Sequence, residues 1–348
     1  MSVKMYYDDA ASPAVLDDLT VAVIGYGIQG RAFAANLRDS GVHLCVGNID
    51  DEYRSVALAD GHQVLTIGDA VTRADVILLL IPDEAHRSVF EEQIRPCYRQ
   101  GATLLVAHGF SVSEGHVCPL PGLDLAMLAP RMYGEPLRKY FLAGKGAPAY
   151  LDVIADASGQ TLQRTLAIAR AVGFTRAGVM PLQYRQETLL DLFQEQFLAP
   201  ALVDLIETAF TVLVEHGFDP HAALLELYGS GEMGKMLLDG AEWGLDEVVE
   251  RQGSPTCQVG YHLYRHRSLP TELLAEQAKG ILQHLENGEF AKVLKAEAEK
   301  DYPLLKQCRR ELRERSLSST HNEVRRLFRF PSDDPVELYL AQVRPAAS

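Results

Sequence analysis

The apolar run Val21-Ala-Val-Ile24 leads directly into Gly25-Tyr26-Gly27-Ile28-Gln29-Gly30 and then into helix-forming sequence. No other feature limits the fold of this chain as strongly. Gly25 permits a turn too tight for most side chains. Gly27 lets the backbone approach another group closely, and Gly30 lets the emerging helix pack against the strand. The first turn of such a helix carries unsatisfied N–H groups and a partial positive charge, which together suit an anionic group such as a pyrophosphate.

The glycine spacing alone also describes an ordinary tight strand–helix turn, so its context has to decide. Residues 21–24, 43–46, 76–81, 103–106 and 125–128 read as strands. Most are apolar without alternation, as in a parallel sheet covered on both faces. Residues 29–39, 52–60 and 86–94 read as the helices between them. This rhythm predicts an α/β Rossmann domain with a doubly wound, mostly parallel sheet. Within it the glycine turn reads as a dinucleotide site.

The grammar changes near residue 182. Residues 187–216 read as one long helix, residues 217–220 as a turn, and residues 270–287 and 295–315 as further helices. The expected organisation is therefore a Rossmann domain over 1–182 and an all-α domain over 183–348. A chain of 348 residues is long enough for two cores.

The end of the second strand reads Gly47-Asn48-Ile49-Asp50-Asp51-Glu52-Tyr53-Arg54. Asp50 lies 20 residues after Gly30, near where a carboxylate accepts hydrogen bonds from the adenosine ribose. Carboxylates there repel a 2′-phosphate, so Asp50 and Asp51, with Asn48, point to NADH rather than NADPH. The same acids also suit the start of the next helix, and the two roles are compatible.

Charge and cysteine usage exclude other classes. A net charge of -14 argues against nucleic acid or an anionic membrane as partner. The 5 cysteines are scattered and form no CxxC pair, which fits reduced thiols rather than disulfides or a zinc site. No leader-like apolar segment opens the sequence, and no apolar run is expected to reach the roughly 18 residues needed to span a bilayer. A cytoplasmic protein is expected.

A series of ordered motifs resembles the ketol-acid reductoisomerase family. It comprises Tyr6-Tyr7-Asp8-Asp9, the glycine turn, Asn36-Leu-Arg-Asp-Ser-Gly41, Pro82-Asp83-Glu84 and Ala107-His108-Gly109-Phe110. Ala129-Pro130, Thr175-Arg-Ala-Gly178, Asp191-Leu-Phe-Gln-Glu195-Gln196 and Asn287-Gly-Glu-Phe-Ala291 complete it. The resemblance implies alkyl migration on a 2-acetohydroxy acid followed by hydride reduction, both on a magnesium pair. It also implies a knotted helical C-terminal domain and a homodimer whose subunits share each site. Pro82 and His108 then belong to the cofactor crevice, with His108 also expected among the catalytic groups.

Asp191 and Glu195 stand at i, i+4, which puts both carboxylates on one helical face and favours a compensating cation. Magnesium prefers such hard oxygen ligands. In the family the matching residues bind the metals; alone, the pair would read as a solvated helix face. Ser254, in Ser254-Pro-Thr256-Cys-Gln258, resembles the family's substrate-binding serine. His262 and His266 have metal-ligand spacing but no third ligand in a recognisable motif, and read as surface residues.

Two departures bear on chemistry. Arg131 stands where the family has its catalytic lysine, and a guanidinium stays protonated. Glu226 matches the first member of a second carboxylate pair, a metal ligand that the resemblance assigns to the partner subunit. Its i+4 position is Ser230, and Glu232 lies on another face. The leading reading is a reductoisomerase acting on 2-acetohydroxy acids. The alternatives are a diverged enzyme that reduces a related 2-oxo acid or imine without isomerisation, and a non-catalytic dinucleotide-binding regulator.

Overall fold

In a computed structural model describing residues 3–328 apart from His266, the glycine turn follows β1 (Val21–Ile24), which is buried along its whole length. Val21 and Val23 face one apolar cluster, and Ala22 and Ile24 face another. Both faces of the sheet are therefore covered, which explains why the strand is apolar without alternation.

After β1 come α1 (Ile28–Asp39), β2 (Leu44–Gly47), α2 (Glu52–Ala59), β3 (Val64–Leu65), α3 (Ile67–Arg73) and β4 (Val76–Leu79). They are followed by α4 (Asp83–Val89), β5 (Thr103–Val106), α5 (Phe110–Ser113), β6 (Asp124–Pro130) and α6 (Gly134–Leu142). β7 (Ala149–Ala155), α7 (Thr161–Val172) and β8 (Val179–Pro181) complete the layer. The eight strands lie in the order β3-β2-β1-β4-β5-β6-β7-β8. All neighbours pair parallel except β6 and β7. From β1 the chain steps outward to β3 and then returns to β4 on the other side. That reversal opens a crevice at the carboxyl ends of β1 and β4, the usual ligand position in such sheets.

The doubly wound Rossmann layer expected from the sequence is present, with three strands more than the motifs suggested. β3 has only 2 residues and β8 only 3, the latter ending in Pro181, so neither leaves a strand-length apolar run. β7 reverses direction and is only half-buried along most of its length. The segment expected as a helix over 86–94 begins earlier, at Asp83, and widens into a π-type turn at Phe90–Ile94.

The chain divides into two compact units between Leu190 and Asp191. The boundary falls inside α8 (Tyr184–Phe193), which continues through a π-type turn at Gln194–Leu198 into α9 (Ala199–Glu215). The whole stretch Tyr184–Glu215 is 32 residues long and, by length and composition, apolar enough to cross a membrane. Counting only unbroken apolar runs overlooks it, because Asp204 and Glu207 interrupt the sequence.

Beyond α9 the described residues are helical. They form α10 (Pro220–Leu224), a π-type turn at Leu225–Gly229, α11 (Glu232–Trp243), α12 (Leu245–Gln252) and α13 (Pro255–Tyr264). α14 (Thr271–Glu286), α15 (Glu289–Glu299), α16 (Pro303–Glu314) and α17 (Ser316–Leu327) follow. The single helix expected over 295–315 is in fact two. Asp301 and Tyr302 adopt left-handed φ of 60° and 57° ahead of Pro303. Proline cannot continue a helix but suits the start of the next one. A small core of Phe210, Ala223, Leu224 and Val324 ties α9, α10 and α17 together.

Candidate active site

The glycine turn is built as its spacing demands. Gly25 has φ +92°, and a Cβ there would lie 2.7 Å from the Leu80 carbonyl oxygen. A Cβ on Gly30 would lie 2.0 Å from the Gly25 carbonyl oxygen. Gly27 differs: a Cβ there would meet nothing within 4 Å. Gly25 and Gly30 are therefore needed by the fold, whereas Gly27 leaves open space at the start of α1. No side chain caps that helix, so its first N–H groups can serve an anion. Ile28 is exposed there, and Gln29 donates from Nε2 to the Met132 carbonyl at 3.0 Å. The Tyr26 side chain turns inward, with its hydroxyl donating to Asp60 at 2.8 Å, so only its backbone belongs to the turn.

At the end of β2 the two aspartates part company. Asp51 caps α2, accepting the Arg54 backbone N–H at 3.1 Å and an Asn48 Nδ2 hydrogen bond at 2.7 Å. Asn48 is buried, and its Oδ1 accepts the Tyr26 N–H at 3.1 Å. This links the second strand to the glycine turn. Asp50 projects fully into solvent, its nearest cation being Arg54 at 4.0 Å. A cavity of about 450 Å³ opens between Asn48, Ile49 and Asp50 on one side and Thr66, Ile67 and Gln93 on the other.

Pro82 stands at the N-cap of α4, directly before Asp83. His108 lies just past β5, its Nδ1 3.3 Å from Asp83 Oδ2 and its Nε2 3.9 Å from Glu187 Oε2. Its ring stacks on Phe110 at 6.1 Å. Arg131 follows β6, held by its backbone N–H on the Pro148 carbonyl and by its guanidinium over the Tyr150 ring. Its Nη2 donates to Glu187 Oε1 at 2.6 Å.

Glu187 was not foreseen as a site residue, yet it joins these groups. It is completely buried, pairing with Arg131 and accepting the Gly109 N–H at 2.8 Å on its other oxygen. Gly109 must be glycine, since a Cβ would sit 2.3 Å from the Tyr184 carbonyl oxygen of α8. A signal existed in the sequence: Glu187, Asp191 and Glu195 recur every four residues. Both oxygens of Glu187 thus have a partner within the sheet unit.

Asp191 follows Glu187 by one turn of α8, and Glu195 sits in the π-type turn that begins at Gln194. Glu226 lies in the second such turn, Leu225–Gly229, and is exposed. Widened turns of this kind often occur at functional sites, because they re-aim the side chains they carry. Ser230, four residues after Glu226, accepts the Glu232 N–H at the start of α11. Ser254 is the N-cap of α13, its Oγ accepting the Cys257 N–H at 3.3 Å. His262 is exposed and pairs with Glu250, and His266 lies outside the described residues.

Residues 15–178 match the family description "Acetohydroxy acid isomeroreductase, NADPH-binding domain", and residues 184–330 match "Ketol-acid reductoisomerase, C-terminal domain". The chain belongs to the ketol-acid reductoisomerase family. It is 38% identical over 327 residues to the "Ketol-acid reductoisomerase (NADP(+))" of Pyrobaculum neutrophilum, covering 93% of this chain and 98% of that one. The corresponding protein of Methanocaldococcus jannaschii is 36% identical over 328 residues, with 93% and 98% covered. A solved NADH-preferring ketol-acid reductoisomerase from an uncultured archaean superposes with a TM-score of 0.89 at 33% identity, covering 94% of this chain and all of that one. Membership makes the chain an NAD(P)H-dependent oxidoreductase and sets aside the non-catalytic reading. A semialdehyde dehydrogenase NAD-binding protein from Cupriavidus necator, 17% identical with a TM-score of 0.56 over 76% of this chain and 99% of that one, shares the fold alone.

Proposed function

We propose that this reductoisomerase-family enzyme converts a 2-acetohydroxy acid by alkyl migration and reduction, prefers NADH, and performs the reduction faster than the migration. The observation that carries the cofactor preference is the exposed Asp50 carboxylate beside a glycine turn open at Gly27. It can accept from both ribose hydroxyls and would repel a 2′-phosphate. Asp51, already spent on Asn48 and the α2 cap, supports the loop instead of reading the cofactor.

The oxygen-rich donor set of Asp191 and Glu195 suits magnesium, with Glu226 supplied by a second copy of the chain. When bound, a magnesium pair supplies Lewis-acid polarisation of the substrate's two oxygens. The exposed apolar residues of α9, Leu202, Val203, Leu205 and Val212, support a homodimer. Free cysteines and a nicotinamide-dependent reaction fit the cytoplasm.

Arg131 is why the two steps should separate. It holds a positive charge at the end of β6, but the 2.6 Å bond to Glu187 pins the guanidinium and offsets its charge. A guanidinium also stays protonated, so it can steady an oxyanion but cannot exchange a proton with it. Hydride delivery asks less: an aligned nicotinamide and a polarised carbonyl.

The test offers 2-acetolactate and the already rearranged 3-hydroxy-3-methyl-2-oxobutyrate with NADH and magnesium. The rearranged ketol should turn over faster, by up to about 10²–10³-fold if some 3–4 kcal/mol of charge stabilisation is missing from the migration step. Arg131→Lys should narrow that gap. Equal or faster use of acetolactate would show that Arg131 suffices. Activity on neither would favour a reductase for another 2-oxo acid or an imine.

A further inference from the structure

Behind His108 lies a chain of polar groups: Asp83, Ser111 and His86. Asp83 Oδ2 faces His108 Nδ1 at 3.3 Å, and Asp83 Oδ1 accepts the Ser111 hydroxyl at 3.1 Å. Ser111 Oγ also meets Nδ1 of His86, and His86 Nε2 lies 3.0 Å from the Ile81 carbonyl oxygen. Ser111 and His86 are both buried. A carbonyl oxygen can only accept, so His86 carries a proton on Nε2.

Counting protons constrains the remainder. The contacts of Ser111 with Asp83 and with His86 each need one proton, and the serine brings only one. A second proton on His86 Nδ1 or on Asp83 Oδ1 satisfies both. In either arrangement, and also without the second proton, Asp83 Oδ2 is left only with lone pairs. The His108 nitrogen opposite must then donate. A proton on Oδ2 itself would need a neutral carboxyl. Burial alone favours that form, but the hydrogen bond and charge of His108, together with His86 and Ser111, hold Asp83 below its ordinary pKa.

We infer that Asp83 is a positioning residue, braced by Ser111 and through it by His86, that locks His108 as the Nδ1–H tautomer and turns Nε2 toward the side of Glu187 and Arg131. Which imidazole nitrogen holds the proton is set by the hydrogen bond made at the other end, and such supporting partners govern both ring orientation and basicity. When the ring is neutral, His108 so held offers a lone pair from Nε2; when it is protonated, both nitrogens donate. The inference rests on the expectation, implied by the family resemblance, that His108 belongs to the active site.

Nitrogen NMR of the full-length, histidine-labelled protein reads the tautomer directly, with the His108 signals identified by their loss in His108→Gln. The Nδ1–H pattern is expected in the unaltered chain. Asp83→Asn keeps the shape but can present an N–H to the ring, so it should shift His108 toward the Nε2–H form. It should also lower kcat about 10- to 100-fold, with NADH affinity retained. Ser111→Ala leaves the carboxylate in place but unbraced, and should give a mixture of tautomers; it also serves should Asp83→Asn fail to fold. An Nε2–H pattern in the unaltered chain, or an unchanged His108 pattern in both variants, would overturn the inference. Absence of turnover on both ketol substrates would sink the proposed reaction, while the spectra would still decide the tautomer.

Discussion

The two compact units place the carboxylates singled out above in different settings. In the sheet unit two acidic side chains are tied down by partners from the same unit: Glu187 has Arg131 and the Gly109 N–H, and Asp51 has Asn48 and its helix cap. In the helical unit Glu195 and Glu226 project from widened turns and are exposed, as are several apolar residues of α9. A buried charge without a partner costs several kcal/mol, so the first arrangement is self-contained. Exposed carboxylates carry little of that desolvation cost, so the second arrangement can also take a cation or a second subunit.

The sharpest way to break this contrast is Asp191→Asn. If the helical carboxylates take a metal, magnesium-dependent turnover should fall by about 10³-fold or more, since a charge stabiliser of the reacting oxygens is removed. NADH affinity should stay as it was, because the glycine turn and β2 belong to the other unit. Calorimetric titration of magnesium and of NADH on the same variant separates the two. Normal turnover would return Asp191 and Glu195 to the status of a solvated helix face.

Glu187→Gln attacks the self-contained side. The amide can still accept from Gly109, but its N–H₂ would face the Arg131 guanidinium. Breaking a buried ion pair from one side is expected to cost about 3 kcal/mol or more, because the remaining charge is stranded. Thermal or urea unfolding should register that loss, with turnover falling as Arg131 loses its anchor. A stability within about 0.5 kcal/mol of the parent, as for a plain surface change, would show that Arg131 had been carrying its charge without help.

The sequence revealed most of what repeats and little of what is local. The glycine turn, the parallel strands and the change to helices near the boundary are periodic features, and periodicity survives small errors of register. The short strands β3 and β8 are set by pairing with neighbours, which no 2- or 3-residue stretch can announce. The break at Asp301 and Tyr302 was legible in Pro303 but was overridden by the helix-forming composition on either side. Glu187 was readable one turn before Asp191. Its pairing with Arg131 joins residues 56 apart and so needed the fold. The parting of Asp50 from Asp51 was hidden for a related reason, because identical side chains side by side acquire different partners only when the loop is folded.

That last pair gives the finest test of the contrast, because adjacent aspartates are assigned a fold role and a function role within one loop. Asp51→Ala removes the α2 cap and the Asn48 contact, and a lost N-cap typically costs about 1 kcal/mol of stability. Asp50→Ser removes a side chain exposed to solvent and should leave stability nearly unchanged. Cofactor binding should respond in the reverse order. Asp50→Ser removes the repulsion of a 2′-phosphate and one acceptor for the ribose hydroxyls, so the ratio of NADH to NADPH affinity should fall about tenfold, equivalent to roughly 1.4 kcal/mol. Asp51→Ala should weaken both cofactors alike, since Asn48 loses its support and the Tyr26 N–H bond that steadies the glycine turn loosens with it. Dissociation constants for both cofactors, with urea unfolding of both variants, complete the square. If Asp51→Ala shifted the cofactor ratio and Asp50→Ser did not, the loop would read the ribose with its capping residue, and the division of labour proposed for the two aspartates would be reversed.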